Sequence, residues 1–314
     1  MSIIKIADIS HVRFTAPDLA EMQAFLEQFG LKPALSADGV LYARGAGPAP
    51  FLHATSLGEP GFAALGLRAD TVEDLDLLAK AEAVDVEDLN APGGGKVVRL
   101  RDPDGRLVEV VAGQAPADPL PLEPESPRNS AAAHPRLRQP VRLRSGPASV
   151  VRLGHCVLEV ADFRASEAWY KQRFGFITSD EIEAAPGMAV GAFLRCDRGD
   201  APTDHHTLFL LQSPGGARFN HAAFEVAGLD DLMRGHTHLK TAGRQAAWGV
   251  GRHILGSQIF DYWKDPWGHE VEHWTDGDLF VAADGSHTGT VQDLLGVQWG
   301  PLHPMMAGAA GAQS

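Results

Sequence analysis

Apolar positions along the chain alternate between helical and strand periods, and they do so twice. Leu19, Met22, Leu26 and Phe29 recur at spacings that place them on one helical face, and Leu75, Leu77 and Leu78 mark a second helix after a strand around Ala63–Leu67. Further along, helical patterns are predicted around Ala165–Phe174 and Leu229–Ala242, each following a strand-like run. The same signatures open both halves. Ser10-His11-Val12-Arg13-Phe14, Asp18 and Phe29-Gly30-Leu31 are matched by Gly154-His155-Cys156-Val157-Leu158, Asp162 and Phe174-Gly175-Phe176. A second pair, Asp102-Pro103-Asp104-Gly105-Arg106-Leu107-Val108-Glu109 and Asp265-Pro266-Trp267-Gly268-His269-Glu270-Val271-Glu272, predicts a turn running into a strand in each half. Two signatures in the same order identify a duplicated unit with insertions.

The pattern within each half is strand, helix, strands, and then the same again. Four such units paired in two domains predict an α+β architecture, with mostly antiparallel sheets and helices packed on one face. Between the halves, residues 113–148 hold eight of the 21 prolines and show no periodicity, which predicts an extended, semi-stiff surface linker. The expected organisation is therefore residues 1–112, linker 113–148, residues 149–280, and a tail 281–314. The tail, with Gln298-Trp299-Gly300-Pro301 ahead of a run of small residues, is expected to act as a lid over a cavity or as a subunit contact.

Composition narrows the function classes. With 314 residues, 44% hydrophobic and 21% charged, the chain has apolar material for two cores and is not disordered. A net charge of −13 disfavours DNA and anionic membranes as partners. No apolar run approaches a membrane span, and the first residues lack the apolar core of a signal peptide, so a cytoplasmic location is expected. Two cysteines, Cys156 and Cys196, allow at most one disulfide, and reduced thiols are expected.

Histidine is concentrated: nine of 14 lie between His155 and His273, and all six tryptophans lie in the second half. His155, His221 and Glu272 each fall on a predicted strand at an equivalent position of its own unit. Two imidazoles and a carboxylate brought together can form a facial triad on a divalent metal, leaving open positions for an anionic chelating substrate. In the first half the repeat register sets Ala64 against His221, while His11 and Glu109 stand for His155 and Glu272. One His and one Glu make a poor transition-metal site, so the first half is expected to be structural. Taken alone, His155 and His221 also suit hydrogen-bonded core positions, and Glu270 and Glu272 share one strand face.

The stretch Gly251-Arg252-His253, seven residues, Asp261-Tyr262-Trp263-Lys264-Asp265-Pro266-Trp267-Gly268, three residues and Glu272 resembles the signature of the type I extradiol ring-cleavage dioxygenases of the vicinal oxygen chelate superfamily. The resemblance extends over the whole two-domain plan, and it implies paired βαβββ modules of the glyoxalase-like fold. It further implies His155, His221 and Glu272 as ligands of Fe(II), less commonly Mn(II), with O2 as co-substrate and a small aromatic diol as substrate. His206, in Asp204-His205-His206-Thr207, matches the acid/base histidine of the family. His253 and Tyr262 match its hydrogen-bond donors to substrate. A histidine titrating near neutrality suits the loss of a diol proton and the gain of one by reduced oxygen. The residues alone do not select His206 over His205, and His253 and Tyr262 equally suit ordinary buried hydrogen bonding.

Asp261 replaces the apolar residue usual before the tyrosine, and Leu255-Gly256 replaces a polar pair common in biphenyl-diol enzymes. These departures favour a monocyclic diol, and the chain looks most like the trihydroxytoluene oxygenase branch. Homo-oligomeric assembly is implied by the resemblance. A glyoxalase-like isomerase or lyase, and a metal-free ligand-sequestering protein, are the alternative functions on the same scaffold.

Overall fold

The computed structural model describes residues 2–306. Its first half runs β1 (Ile6–Ala16), α1 (Leu19–Phe29), β2 (Lys32–Leu35), β3 (Leu41–Arg44) and β4 (His53–Leu57), then β5 (Gly61–Ala69), α2 (Val72–Glu82), β6 (Val86–Asp88), β7 (Lys96–Arg101) and β8 (Leu107–Ala112). The second half repeats the order with β9 (Val150–Val160), α3 (Phe163–Phe174), β10 (Ile177–Ala185), β11 (Met188–Arg195), a short β12 (Thr203–Asp204) and β13 (Leu208–Gln212). There follow β14 (Arg218–Val226), α4 (Leu229–Thr241), β15 (Ala246–His253), β16 (Ile259–Lys264) and β17 (Glu270–Thr275). Each half is a pair of βαβββ modules. The tail adds β18 (Leu279–Phe280), β19 (His287–Thr290), α5 (Val291–Leu295) and β20 (Val297–Trp299).

The duplicated sequence signatures have a direct physical reading. Asp18 caps α1 by accepting from the Ala20 and Glu21 amides, and Asp162 caps α3 by accepting from Ala165. Gly30 and Gly175 end the two helices in the left-handed conformation, at φ 104° and 71°. In the second signature, Asp102 Oδ1 accepts from the Asp104 and Arg106 amides, as Asp265 Oδ1 does from Trp267 and His269.

The first half forms a sheet ordered β2-β3-β4-β1-β5-β8-β7-β6, and the second a sheet ordered β19-β10-β11-β13-β9-β14-β17-β16-β15-β20. Antiparallel pairs dominate, as expected, but β1 and β4, β5 and β8, β9 and β13, and β14 and β17 run parallel. These parallel pairs follow from the module: a helix between paired strands returns the chain in the same direction. The tail contributes both edge strands of the larger sheet, β19 and β20, so it is woven into the second half; its last eight residues lie outside the described residues.

One apolar core spans both halves. At their junction Phe14 meets Phe219 edge-on at 5.2 Å, Phe62 stacks on Phe219 at 4.7 Å, and His273 stacks on Phe29 while its Nε2 donates to the Phe29 carbonyl (2.7 Å). Helix α1 buries Met22, Phe25, Leu26 and Phe29, and α2 buries Leu75, Leu78 and Ala79. Leu77 points outward because it sits about 100° around the helix from Leu78. Residues 113–148 form no helix or strand and are mostly exposed, with the Ala117 and Leu120 amides donating to the Pro48 and Ala46 carbonyls.

Candidate active site

Four neighbouring strands of the second sheet build the site. His155 on β9 lies opposite Ala223 on β14, Ala223 lies beside Glu272 on β17, and Glu272 lies opposite Tyr262 on β16. Cross-strand partners share a face, and His221 shares it too because it precedes Ala223 by two residues. The row therefore reads His155, Ala223, Glu272, Tyr262, with His221 projecting alongside. The small side chain of Ala223 leaves room between the imidazole and the carboxylate.

His155 Nε2 and His221 Nε2 each lie 3.3 Å from Glu272 Oε2. Donor atoms bound at right angles to one cation, at ~2.0–2.2 Å, stand about 3 Å apart. His155 is 2% exposed and Glu272 0%. Both Glu272 oxygens and His221 Nε2 are buried without a hydrogen-bond partner among the described residues. Buried polar atoms are ordinarily satisfied, so three convergent orphans fit a cation as their missing partner. Burial pushes the Glu272 carboxyl up, but the close approach of His155 and His221 outweighs it and holds the group low, in its ionised form. Burial lowers the pKa of His155, leaving it neutral. Neutral imidazoles and an ionised carboxylate are the forms that bind metal.

Supporting contacts orient these donors. His221 Nδ1 donates to Asn220 Oδ1 (2.8 Å), which turns the Nε2 lone pair inward. The Asn220 amide is itself oriented, since its Nδ2 donates to Glu159 (2.9 Å), and Glu159 accepts from Arg218 (2.7 Å). His253 Nε2 and the Tyr262 hydroxyl are 3.1 Å apart, and His253 Nε2 lies 3.9 Å from Glu272 Oε1. Burial lowers His253 to about 4 and raises the Tyr262 phenol well above its ordinary value, so Tyr262 keeps its proton as a donor.

His206 lines the same cavity, its ring 4.0 Å from that of His155. His205, the neighbour that sequence could not separate from it, turns away from the ligands and packs against Phe193 and Phe280. The cavity has a volume of about 700 Å³. Its walls are apolar around the ligands, with Val157, Phe193, Phe209 and Leu211 from the sheet and Leu255 from the loop after β15. Leu294, Leu295 and residues 303–305 of the tail close one side.

Asp261 has no part in the cavity. It points to the opposite face of β16, fully buried, where it accepts from the Trp263 indole (2.6 Å) and pairs with His236 (3.1 Å). Its departure from the family pattern therefore carries no information about substrate, whereas Leu255 lines the cavity. Glu270, on the same strand face as Glu272, sits at the cavity edge 3.8 Å from Lys264.

The first half shows what replaces the site. Ala64 pairs with Leu107, and Gly66 with Glu109, as His221 pairs with Glu270 and Ala223 with Glu272. Glu109 accepts from Arg13 Nε (2.6 Å) and Arg99 Nε (3.0 Å), and lies 2.9 Å from His11 Nε2. Two guanidinium groups supply the positive charge at this position. His155, His221 and Glu272 form the group of metal-competent side chains identified among the described residues. Cys156 and Cys196 are free and buried, with thiol pKa values raised by burial. No helix among the described residues is long and apolar enough to cross a membrane.

Residues 152–273 match the Glyoxalase/Bleomycin resistance protein/Dioxygenase superfamily. Over 323 aligned residues the chain is 31% identical to metapyrocatechase 2 of Cupriavidus necator, covering 94% of this chain and 89% of that protein. The fold is shared with homoprotocatechuate 2,3-dioxygenase of Brevibacterium fuscum, solved with 3,4-dihydroxyphenylacetate (TM-score 0.77, 20% identity, 98% and 93% of the two chains). It is also shared with an Mn(II)-bound glyoxalase of Novosphingobium aromaticivorans (TM-score 0.76, 24% identity, 96% and 93% covered). This chain belongs to the Glyoxalase/Bleomycin resistance protein/Dioxygenase superfamily and, within it, to the extradiol dioxygenases.

Proposed function

We propose that this protein opens a catecholic or trihydroxylated monocyclic aromatic ring in aromatic-compound degradation. The carbon–carbon bond beside the two hydroxylated carbons breaks, and both atoms of O2 enter the product. The observation that carries the reading is the convergence of His155, His221 and Glu272, all buried, with His221 Nε2 and both Glu272 oxygens unpartnered among the described residues, in a chain of this family. In the proposal they hold Fe(II), with Mn(II) as the alternative. A divalent metal there supplies a chelating centre for both diol oxygens and an electron path between ring and O2.

The protein's own groups bind, orient and manage protons. His206, facing the ligands, accepts a hydroxyl proton as the diol binds and returns one to the reduced oxygen. The Tyr262 hydroxyl and His253 donate hydrogen bonds to substrate oxygens beside Glu272. The walls of Val157, Phe193, Phe209, Leu211 and Leu255 pack the ring and its apolar substituents and exclude water. The tail from residue 281 covers the cavity, and residues 1–112 support the fold without binding metal. A cytoplasmic, homo-oligomeric enzyme belongs to the same proposal.

The test is anaerobic reconstitution with Fe(II) or Mn(II), followed by aerobic addition of catechols and trihydroxytoluene while O2 uptake and visible absorbance are recorded. Uptake matched one-to-one by a yellow ring-opened product is expected. Metal-loaded protein that consumes no O2 with any diol would move the function to a non-oxidative isomerase.

A further inference from the structure

Behind His206 lies a buried pair that the reaction above leaves unused. Asp180, on β10, places Oδ2 2.5 Å from His205 Nε2, and His205 Nδ1 lies 3.0 Å from His206 Nδ1. All three side chains are buried. His205 is held at each end: its amide donates to the Asp278 carbonyl (2.9 Å), and its carbonyl accepts from the Ser179 hydroxyl (2.6 Å). Gly256, at φ +77°, lies flat against the ring. A Cβ there would stand 2.9 Å from His205 Nδ1, so this glycine leaves the space that the ring needs.

The chain of contacts limits where the protons can sit. A contact between two Nδ1 atoms holds one hydrogen, carried by one ring and accepted by the other. An ionised carboxylate only accepts, so the hydrogen between Asp180 and His205 belongs to His205 Nε2. When that is the only hydrogen His205 carries, its lone pair is on Nδ1, and the shared hydrogen belongs to His206 Nδ1. This leaves His206 Nε2 unprotonated, and that nitrogen has no hydrogen-bond partner among the described residues.

We propose that Asp180 and His205 are positioning residues that hold His206 in the tautomer with its Nε2 lone pair turned to the cavity. The proposal rests on the reading of His206 as the group that takes the substrate proton. It gives that residue its base form before substrate arrives, and it gives Leu255-Gly256 a reason for its glycine.

Three variants of the full-length, Fe(II)-loaded protein test it. His205→Phe keeps a flat ring but removes the acceptor; His205→Asn keeps a carbonyl oxygen where Nδ1 stood; Asp180→Ala removes the group that selects the tautomer. Expected are a kcat lower by roughly 10- to 100-fold in His205→Phe and Asp180→Ala, with KM within about twofold and unchanged iron content and Tm. Partial recovery of kcat is expected in His205→Asn. Equal kcat in His205→Phe and His205→Asn would overturn the proposal.

A second readout is independent of turnover. In the metal-free protein, 15N signals of labelled histidine are expected to show His206 protonated at Nδ1, and a mixture of tautomers in Asp180→Ala. Protonation at Nε2 in the wild type would overturn the proposal. Failure of the wild type on every diol would refute ring cleavage, and the tautomer measurement would still decide the role of Asp180 and His205.

Discussion

Replacing Glu272 with glutamine separates the needs of the metal site from those of the fold. The carboxylate is fully buried, with neither oxygen hydrogen-bonded among the described residues and two imidazole nitrogens at 3.3 Å. Without metal, that arrangement is a cost. A glutamine amide has the same shape and can donate to the lone pair of His155 or His221, which a carboxylate cannot. The metal-free variant is therefore expected to be more stable than the metal-free wild type by roughly 1–3 kcal/mol, the range for relieving a buried unsatisfied polar group.

With metal the order reverses. A ligand present at a thousandfold above its Kd stabilises by about 4 kcal/mol, and at about 2 °C per kcal/mol for a chain of this size the melting temperature rises by roughly 8 °C. Losing the anionic ligand lowers affinity by on the order of a thousandfold, beyond the ~10–100-fold typical of changing an outer partner. At the same metal concentration the remaining shift is then about 1 °C. The assay is a thermal-unfolding titration of chelator-treated protein with Mn(II) in air and with Fe(II) anaerobically. A metal-induced shift in Glu272→Gln equal to that of the wild type would refute the reasoning and point to another carboxylate.

Three further outcomes follow from the same contacts. His206→Phe should keep the metal-induced thermal shift while slowing turnover by roughly 10²- to 10⁴-fold, measured as O2 uptake; loss of metal would make it a ligand. Arg13→Met should remove one of two guanidinium groups from buried Glu109 and cost roughly 3 kcal/mol in thermal unfolding, with metal content unchanged; reduced metal content would refute a structural role for the first half. Asp8, half-buried, is raised to about 6 by burial, against the pull of Arg152. Since its folded pKa exceeds the unfolded value, it favours folding below about pH 4, and that contribution is lost as pH rises through 6. Asp8→Asn should therefore stabilise by roughly 3 kcal/mol at pH 7.5 and by little at pH 4, and equal effects at both would refute the assignment.

Much of this architecture is legible in the sequence because the duplicated residues have local jobs. An aspartate before a helix and a glycine after it are caps, and they mark α1 and α3 without any tertiary information. The positions of His155, His221 and Glu272 are legible through the repeat, since equivalent strands must pair in equivalent registers. What is not legible depends on long-range contacts. Nothing local distinguishes His205 from His206; their surroundings differ because β10 brings Asp180 to one of them, 25 residues away. Asp261 reads as a change beside the substrate, yet strand alternation turns it toward α4, where it pairs with His236 and accepts from Trp263 of its own strand. The tail is opaque for the same reason. Its short strands have weak patterns and acquire their form by adding to the edges of a sheet already present.

The proline-rich segment between the halves carries 36 residues and no regular element, while the apolar core runs continuously beneath it. The N-terminal strand region crosses the same junction, with the Ile3 and Ile4 amides donating to the Gln172 and Arg173 carbonyls of α3. Covalent continuity at the segment thus serves chiefly to keep each half near the other, an effective concentration on the order of millimolar for flexible connections. Once the shared core has formed, that service is finished. A single backbone cut around Ser130 would leave two polypeptides holding one another as a heterodimer, with every group around Glu272 supplied by one of them.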